Sequence, residues 1–240
     1  MNEKLKLPGH FELERDLREQ LSSRPGHQRC VVGNAELLLV LHEVPAAGVP
    51  EREALFFWRK YDGTWVQKCG SGLDDVGALL DRYALAIDAN EEILEKTDSA
   101  EELFGILRHA GPLSRSSRNM VNALEQTLAQ EPDDTQVRSY RDRSKEIERA
   151  AELLHADARE TMLFWQAESS EQHTKSAERL GNIVFKLNLL TGFFLPLVAL
   201  AGLFGMNVDL PDFVKGMFWW IFFGGLFVGG WLMRYVAKEK

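Results

Sequence analysis

Cysteine is nearly missing from this chain: Cys30 and Cys69 are the only two in 240 residues. Two thiols cannot build a disulfide framework or a zinc cluster, so both read as free, buried side chains. The six histidines are scattered, and none stands in a metal-ligand spacing such as H-x-x-x-H. Glycine-rich phosphate loops, nucleophile elbows and paired His–carboxylate motifs are also lacking, so the reading is of a protein that is not an enzyme and carries no cofactor. The first 20 residues hold no apolar run, and no secretory signal is expected there. Proline and glycine avoid one long stretch: from Thr135 to Phe204 the only proline is Pro196, and the only glycine before Gly192 is Gly181.

Against these absences stand two uncharged apolar runs near the C-terminus, Leu187–Phe204 and Gly216–Met233, each 18 residues long. At about 1.5 Å per residue each spans roughly 27 Å, the thickness of a bilayer core. Eleven residues separate them, too few for a domain, so the pair predicts a transmembrane hairpin. Lys175, Arg179, Lys186, Arg234, Lys238 and Lys240 flank its outer ends, whereas the tip holds Lys215 against Asp209 and Asp212. The positive-inside rule then places both termini in the cytoplasm.

The charge is uneven as well. The net charge is −8, and the part from Leu187 onward carries +1, which leaves −9 on the preceding residues. An acidic cytoplasmic part disfavours nucleic acid as a partner and suits cations, or simply solubility.

In chain order, Phe11–Leu21 has the spacing of a short amphipathic helix. Cys30–Val32 and Glu36–Val44 predict a hairpin across Gly33-Asn34, and Ala54–Tyr61 with Thr64–Lys68 a second across Asp62-Gly63. A small antiparallel sheet of about four strands follows. Leu73–Ile87 reads as a helix, Ser99 as a helix start, and Gly111-Pro112 as a break before a further helix, Pro112–Gln130. Pro132-Asp133-Asp134 opens one helix of about 70 residues, on the order of 105 Å, which a chain of this size cannot satisfy alone.

Two stripes run along that helix. Val137, Tyr140, Ser144, Ile147, Ala151, Leu154, Ala158, Thr161 and Trp165 alternate steps of three and four, like a coiled-coil seam. Ala167, Ser170, Thr174, Ala177, Gly181, Val184, Asn188, Thr191, Leu195, Val198 and Gly202 continue the spacing without a charge. This second stripe is either a helix–helix interface of small residues or a wall lining a shared axis, and Asn188 is either interhelical glue or a polar ring. On the second apolar run, Gly225 and Gly229 form a G-x-x-x-G that permits close packing, and Trp219, Trp220 and Trp231 suit the interfaces.

Leu195-Pro196-Leu197, followed by Ala201-Gly202-Leu203-Phe204-Gly205-Met206-Asn207, resembles the signature of the CorA family of divalent-cation channels. The resemblance is specific over roughly Tyr140–Lys240. It implies an α+β cytoplasmic domain, a stalk helix continuing into a two-helix transmembrane hairpin, and a homo-oligomeric funnel, pentameric in that family. The implied layout is a small α/β domain (1–110), a helical stalk (111–186), a pore-lining transmembrane helix (187–204), an external loop (205–215), a second transmembrane helix (216–236) and a cytoplasmic tail (237–240). It also implies an entrance filter of Gly205, Met206 and Asn207 and a pore lined by Gly181, Val184, Leu187, Asn188, Thr191, Leu195, Val198 and Gly202. Asp209 and Asp212 would form an acidic mouth, and Asp142 and Glu146 fall where the family carries regulatory metal carboxylates.

The implied activity is passage of hydrated magnesium across a bacterial-type inner membrane, with the lipid bilayer, the cation and further copies of the chain as partners. A hard divalent ion sheds water reluctantly, and neutral amide oxygens suit its hydration shell. A ZntB-like zinc transporter of the same architecture, a ligand-gated membrane effector and a non-conducting scaffold are the alternatives.

Overall fold

The computed structural model describes residues 7–21, 26–46, 48–49, 52–68, 70–205 and 212–238. The chain divides into two compact units, Met1–Gln166 and Ala167–Lys240.

The first unit is built on a five-stranded antiparallel sheet in the order β1-β2-β3-β4-β5. Its strands are β1 (Arg29–Val32), β2 (Leu37–His42), β3 (Ala54–Arg59), β4 (Trp65–Gln67) and β5 (Gly70–Ser71). Both expected hairpins form. The first closes with Gly33 N–H donating to Glu36 O at 2.8 Å. In the second, Gly63 takes a φ of +83°, which a residue without Cβ adopts freely. Asp62 accepts Thr64 N–H at 2.8 Å in the same turn. The fifth strand, only two residues long, adds one to the four expected.

β2 is buried along its whole length because both faces of the sheet are covered. Leu38, Val40, Phe56 and Trp58 pack under Phe11, Leu13 and Leu17 of the N-terminal segment, where the helix α1 is shorter than expected, Arg15–Gln20. Leu39, Leu41, Phe57 and Trp65 pack on three helices: α2 (Asp74–Lys96), α3 (Ala100–Gln130) and the start of α4 (Thr135–Gly205). Between sheet and helices lies a polar knot in which Gln28 Nε2 donates to Ser116 O at 2.8 Å. There Tyr83 and Ser116 also share a 2.7 Å hydroxyl contact.

Besides the shorter α1, helix boundaries differ from the sequence reading in two places. α2 runs on through the acidic stretch to Lys96, held by Ile87 in the core and Leu94 against it. The expected break at Gly111-Pro112 does not occur, and α3 passes through Pro112 as one helix. A helix-interior proline costs about 3 kcal/mol, but Ile106, Ala110, Leu113, Ser117 and Met120 are all buried on either side of it. Burying each large apolar side chain contributes about 1.5–3 kcal/mol, so tertiary packing outweighs the local defect. Ser99 caps α3 as expected, its side chain accepting Glu102 N–H at 3.2 Å.

α4 is a single helix of 71 residues. Asp134 starts it: Oδ1 accepts Gln136 and Val137 N–H, each at 3.0 Å, and Oδ2 accepts Trp65 Nε1–H of β4 at 3.0 Å. An Arg59–Glu131 pair at 2.8 Å ties the sheet to the same corner. The seam that reads as coiled-coil-like finds its partners inside the same chain. Val137, Ser144, Ile147, Ala151, Leu154 and Ala158 are buried, and the apolar ones join the core with Leu79, Leu103 and Leu124 of α2 and α3. Arg118 of α3 bridges to Glu148 and Glu152 of α4, and Lys145 pairs with Glu125 at 2.6 Å.

Candidate functional site

The second unit comprises the C-terminal part of α4 and α5 (Asp212–Lys238). Among the described residues one helix is apolar and long enough to cross a membrane, with its window inside Thr135–Ala199 at a mean hydropathy of 1.6. α5 contains the second uncharged run in helical form, with a shorter apolar stretch at Phe222–Trp231.

Within this unit α4 is exposed nearly all round, the charged Glu168, Glu171, Lys175 and Glu178 included, and a narrow covered strip stands apart from the rest. Ala167, Ser170, Thr174, Ala177, Gly181, Val184, Leu187, Asn188, Thr191, Leu195, Val198 and Gly202 are all exposed. Phe185, Leu189, Phe193 and Leu197, four residues apart, are half-buried. At about 100° per residue the two sets centre on nearly opposite sides of the helix. On α5 the less exposed positions among those described are Gly225 and Gly229, and Gly229 is buried. A Cβ on Gly229 would lie 3.1 Å from Cδ2 of Phe193, so the missing side chain is what admits the ring. α5 therefore sits on the face of α4 opposite the uncharged stripe. Its other side carries Trp220, Phe223, Phe227 and Trp231, all exposed and at helical spacing.

The stripe's polar groups are placed economically. Thr191 Oγ1 donates to Leu187 O at 2.9 Å and Thr174 Oγ1 to Ser170 O at 2.9 Å. Each hydroxyl thus satisfies its proton on its own helix and keeps its oxygen lone pairs outward, a form a polar residue tolerates among apolar neighbours. Lys175 and Glu171 pair at 2.6 Å beside the stripe, off its line.

Gly205 is the last residue of α4 and Asp212 the first of α5. Met206, Asn207 and Asp209 lie outside the described residues. In the first unit Asp142 is exposed and pairs with Arg141 Nε at 2.8 Å, and Glu146 is exposed one turn further along α4. Among the described residues no three His, Cys, Asp or Glu side chains are grouped so as to hold a metal ion. An acidic neighbourhood lies at the end of α2, within the stretch Asp88–Ser99 that already reads as acidic in the sequence. Partial burial raises the Glu91 carboxyl above its ordinary range, and the charges of Asp88, Asp157 and Glu95 add to the shift. The i, i+3, i+7 spacing of Asp88, Glu91 and Glu95 places them on one side of the helix.

Residues 71–238 match the family described as "CorA-like Mg2+ transporter protein". No curated protein matches the chain. Among solved structures, the crystal structure of the ZntB cytoplasmic domain from Vibrio parahaemolyticus RIMD 2210633 is 13% identical, covering 68% of this chain and 80% of that one, with a TM-score of 0.50. The full-length CmaX protein is 20% identical over 92% of this chain and 79% of that one, TM-score 0.46. The CorA magnesium transporter from Methanocaldococcus jannaschii is 11% identical over 89% and 79%, TM-score 0.46. At such identities the first likeness speaks for the fold, while the family match runs over well more than half of the 240 residues. The chain belongs to the CorA-like Mg2+ transporter family.

Proposed function

We propose that several copies of this chain form a membrane channel that passes hydrated divalent cations, magnesium foremost, into the cytoplasm. The observation that carries the reading is the place of the covered strip: α5 packs at Phe193, on the side of α4 away from the uncharged stripe that runs from Ala167 to Gly202, and leaves that stripe open. An uncovered stripe of small, hydroxyl and amide side chains is a surface for symmetry-related copies around an axis, and a hydrated cation needs such a lining. In this reading Asn188 and Thr191 form polar rings. Val184, Leu187, Leu195 and Val198 form apolar constrictions that gate by dewetting, and Gly181 and Gly202 let the helices approach. Gly205, Met206 and Asn207 form the entrance filter: the Asn207 amide oxygens accept from the ion's water shell, and Gly205 permits the turn that exposes them. Asp209 and Asp212 concentrate cations at the mouth. Asp142 and Glu146 are the positions proposed for a regulatory metal. The assembly is a homo-oligomer, pentameric as the family resemblance implies, in a bacterial-type inner membrane with both termini inside.

Flux of magnesium, cobalt, nickel and zinc into liposomes carrying the purified protein, with and without a proton gradient, tests the reading and separates it from zinc transport. Asn207→Ala should reduce magnesium flux at least tenfold while the oligomer still assembles, because each lost hydrogen bond is worth about 0.5–1.5 kcal/mol and the ring repeats the loss. Asp212→Asn removes only an attracting charge, screened over about 8–10 Å in physiological salt, and should lower flux mildly and mainly at low ionic strength. Unaltered flux in Asn207→Ala, with flux abolished in Asp212→Asn, would overturn the filter.

A further inference from the structure

Which side of α4 faces the proposed axis depends on what holds the helix against rotation about its own length. Four half-buried side chains mark the covered face, and among the glycines described by their surroundings the close approach is at Gly229. Phe193 Cδ2 and Cε2 stand 3.1 and 3.4 Å from where a Gly229 Cβ would be, and Phe193 O stands 3.9 Å from it. Phe193 is braced in turn by Phe194, whose ring meets it edge-on at 5.3 Å between centroids. Elsewhere in this unit, the described glycines Gly181, Gly192, Gly202, Gly205, Gly216, Gly224 and Gly230 have no such atom within 4 Å.

From this we infer that the Phe193–Gly229 contact is a rotational lock: the ring of α4 seats in the notch left by the missing side chain of α5 and fixes which residues of α4 are presented opposite. The inference rests on the channel reading for its consequence and on the contact alone for its geometry. Phe193 lies two residues from both Thr191 and Leu195, about 200° around the helix, so the lock and the lining sit back to back. Side chains reach about 5–6 Å from a helix axis, so displacing the ring by about 1 Å turns α4 by about 10°. That carries Thr191 and Asn188 by a similar distance, at the limit within which a site keeps its geometry. Phe193 and Gly229 are thus positioning residues that never touch the ion.

The test uses the full chain in liposomes, with magnesium as the probe and disulfide crosslinking of single cysteines at Thr174, Ala177, Lys175 and Glu178 as a second readout. Gly229→Leu should lower magnesium flux about tenfold and shift the ratio of the Ala177 crosslink to the Thr174 and Glu178 crosslinks away from that of the parent. Adding Phe193→Ala removes the clash and should restore both to within about threefold. If Gly229→Leu does not assemble, Gly229→Ala takes its place, with a smaller drop of about threefold that Phe193→Leu reverses. Parental crosslinks in Gly229→Leu, or in Gly229→Ala where that variant is used, would overturn the lock, and so would equal defects in the single and double variants. A parent protein that passes no divalent cation overturns the channel reading instead, and the crosslinking pattern then still decides whether the contact sets the rotation of α4.

Discussion

At Pro112 the chain places a residue that lacks a backbone donor in the middle of a 31-residue helix. Its φ is compatible with helix, and what it loses is the bond to the preceding turn. Pro112→Ala should therefore stabilise the protein by about 1–2 kcal/mol, less than the propensity difference of about 3 because alanine also frees the unfolded chain. Urea unfolding of the detergent-solubilised protein measures it, and a loss of stability would mean that the ring itself is packed. His42 makes the opposite kind of statement. Burial, and then the charges of Arg52, Arg29 and His27, lower its pKa from 6.5 to about 4. The imidazole stays neutral in the fold, whereas the unfolded chain takes up its proton below about 6.5. The stability tied to that neutral form is intact above 6.5 and is lost as the pH falls through 4. The loss is on the order of 3 kcal/mol when complete. Unfolding at pH 7 and pH 5 should show it, and His42→Phe should flatten the difference.

Among the elements, those whose signals are local were legible in the sequence. Gly33-Asn34 and Asp62-Gly63 specify their turns by local chemistry, the second through Gly63's positive φ and the Asp62 side chain, and Ser99 caps α3 through its own side chain. The length of α4 was legible too, because nothing in its sequence interrupts it. What was not legible depends on other parts of the chain. Pro112 lies in continuous helix only because the residues around it are buried, and a periodic seam says which side of a helix is covered but not by what. In the apolar part of α4 even the side is hidden: Phe185, Leu189, Phe193 and Leu197 are as hydrophobic as the exposed Leu187, Leu195 and Val198, so periodicity has no contrast to report. The clue lay on the partner helix, in Gly225 and Gly229. Two measurements separate the faces of α4. Leu154→Ala should cost about 2–4 kcal/mol of stability as a buried leucine, while Leu163→Ala, 54% exposed, should stay within about 0.5 kcal/mol. Cysteines at Thr174 and Ala177 should crosslink between subunits far more readily than cysteines at Lys175 and Glu178, and equal crosslinking on both faces would remove the shared axis.

For the molecule as a whole, the remaining physical quantity is its orientation in the membrane, and the distribution of basic residues argues it. Lys175, Arg179, Lys186, Arg234, Lys238 and Lys240 bracket the outer ends of the two apolar runs, and Lys215 alone lies between them. Counts of lysine and arginine close to the membrane, rather than net charge, set the side retained in the cytoplasm, and six against one is a large bias. The −9 carried by the residues before Leu187 does not oppose it, since acidic residues contribute little to that choice. In the orientation proposed above, the segment from Gly205 to Lys215 would face outward and offer Asp209 and Asp212 to the incoming cation. With Cys30 and Cys69 replaced by serine, a cysteine at Asp212 should react in intact cells with a thiol reagent that cannot cross the membrane. A cysteine at Lys238 should react only after the cells are opened. The reverse pattern would put the tip in the cytoplasm and make the acidic segment an exit, with cations leaving through the end proposed here for their arrival.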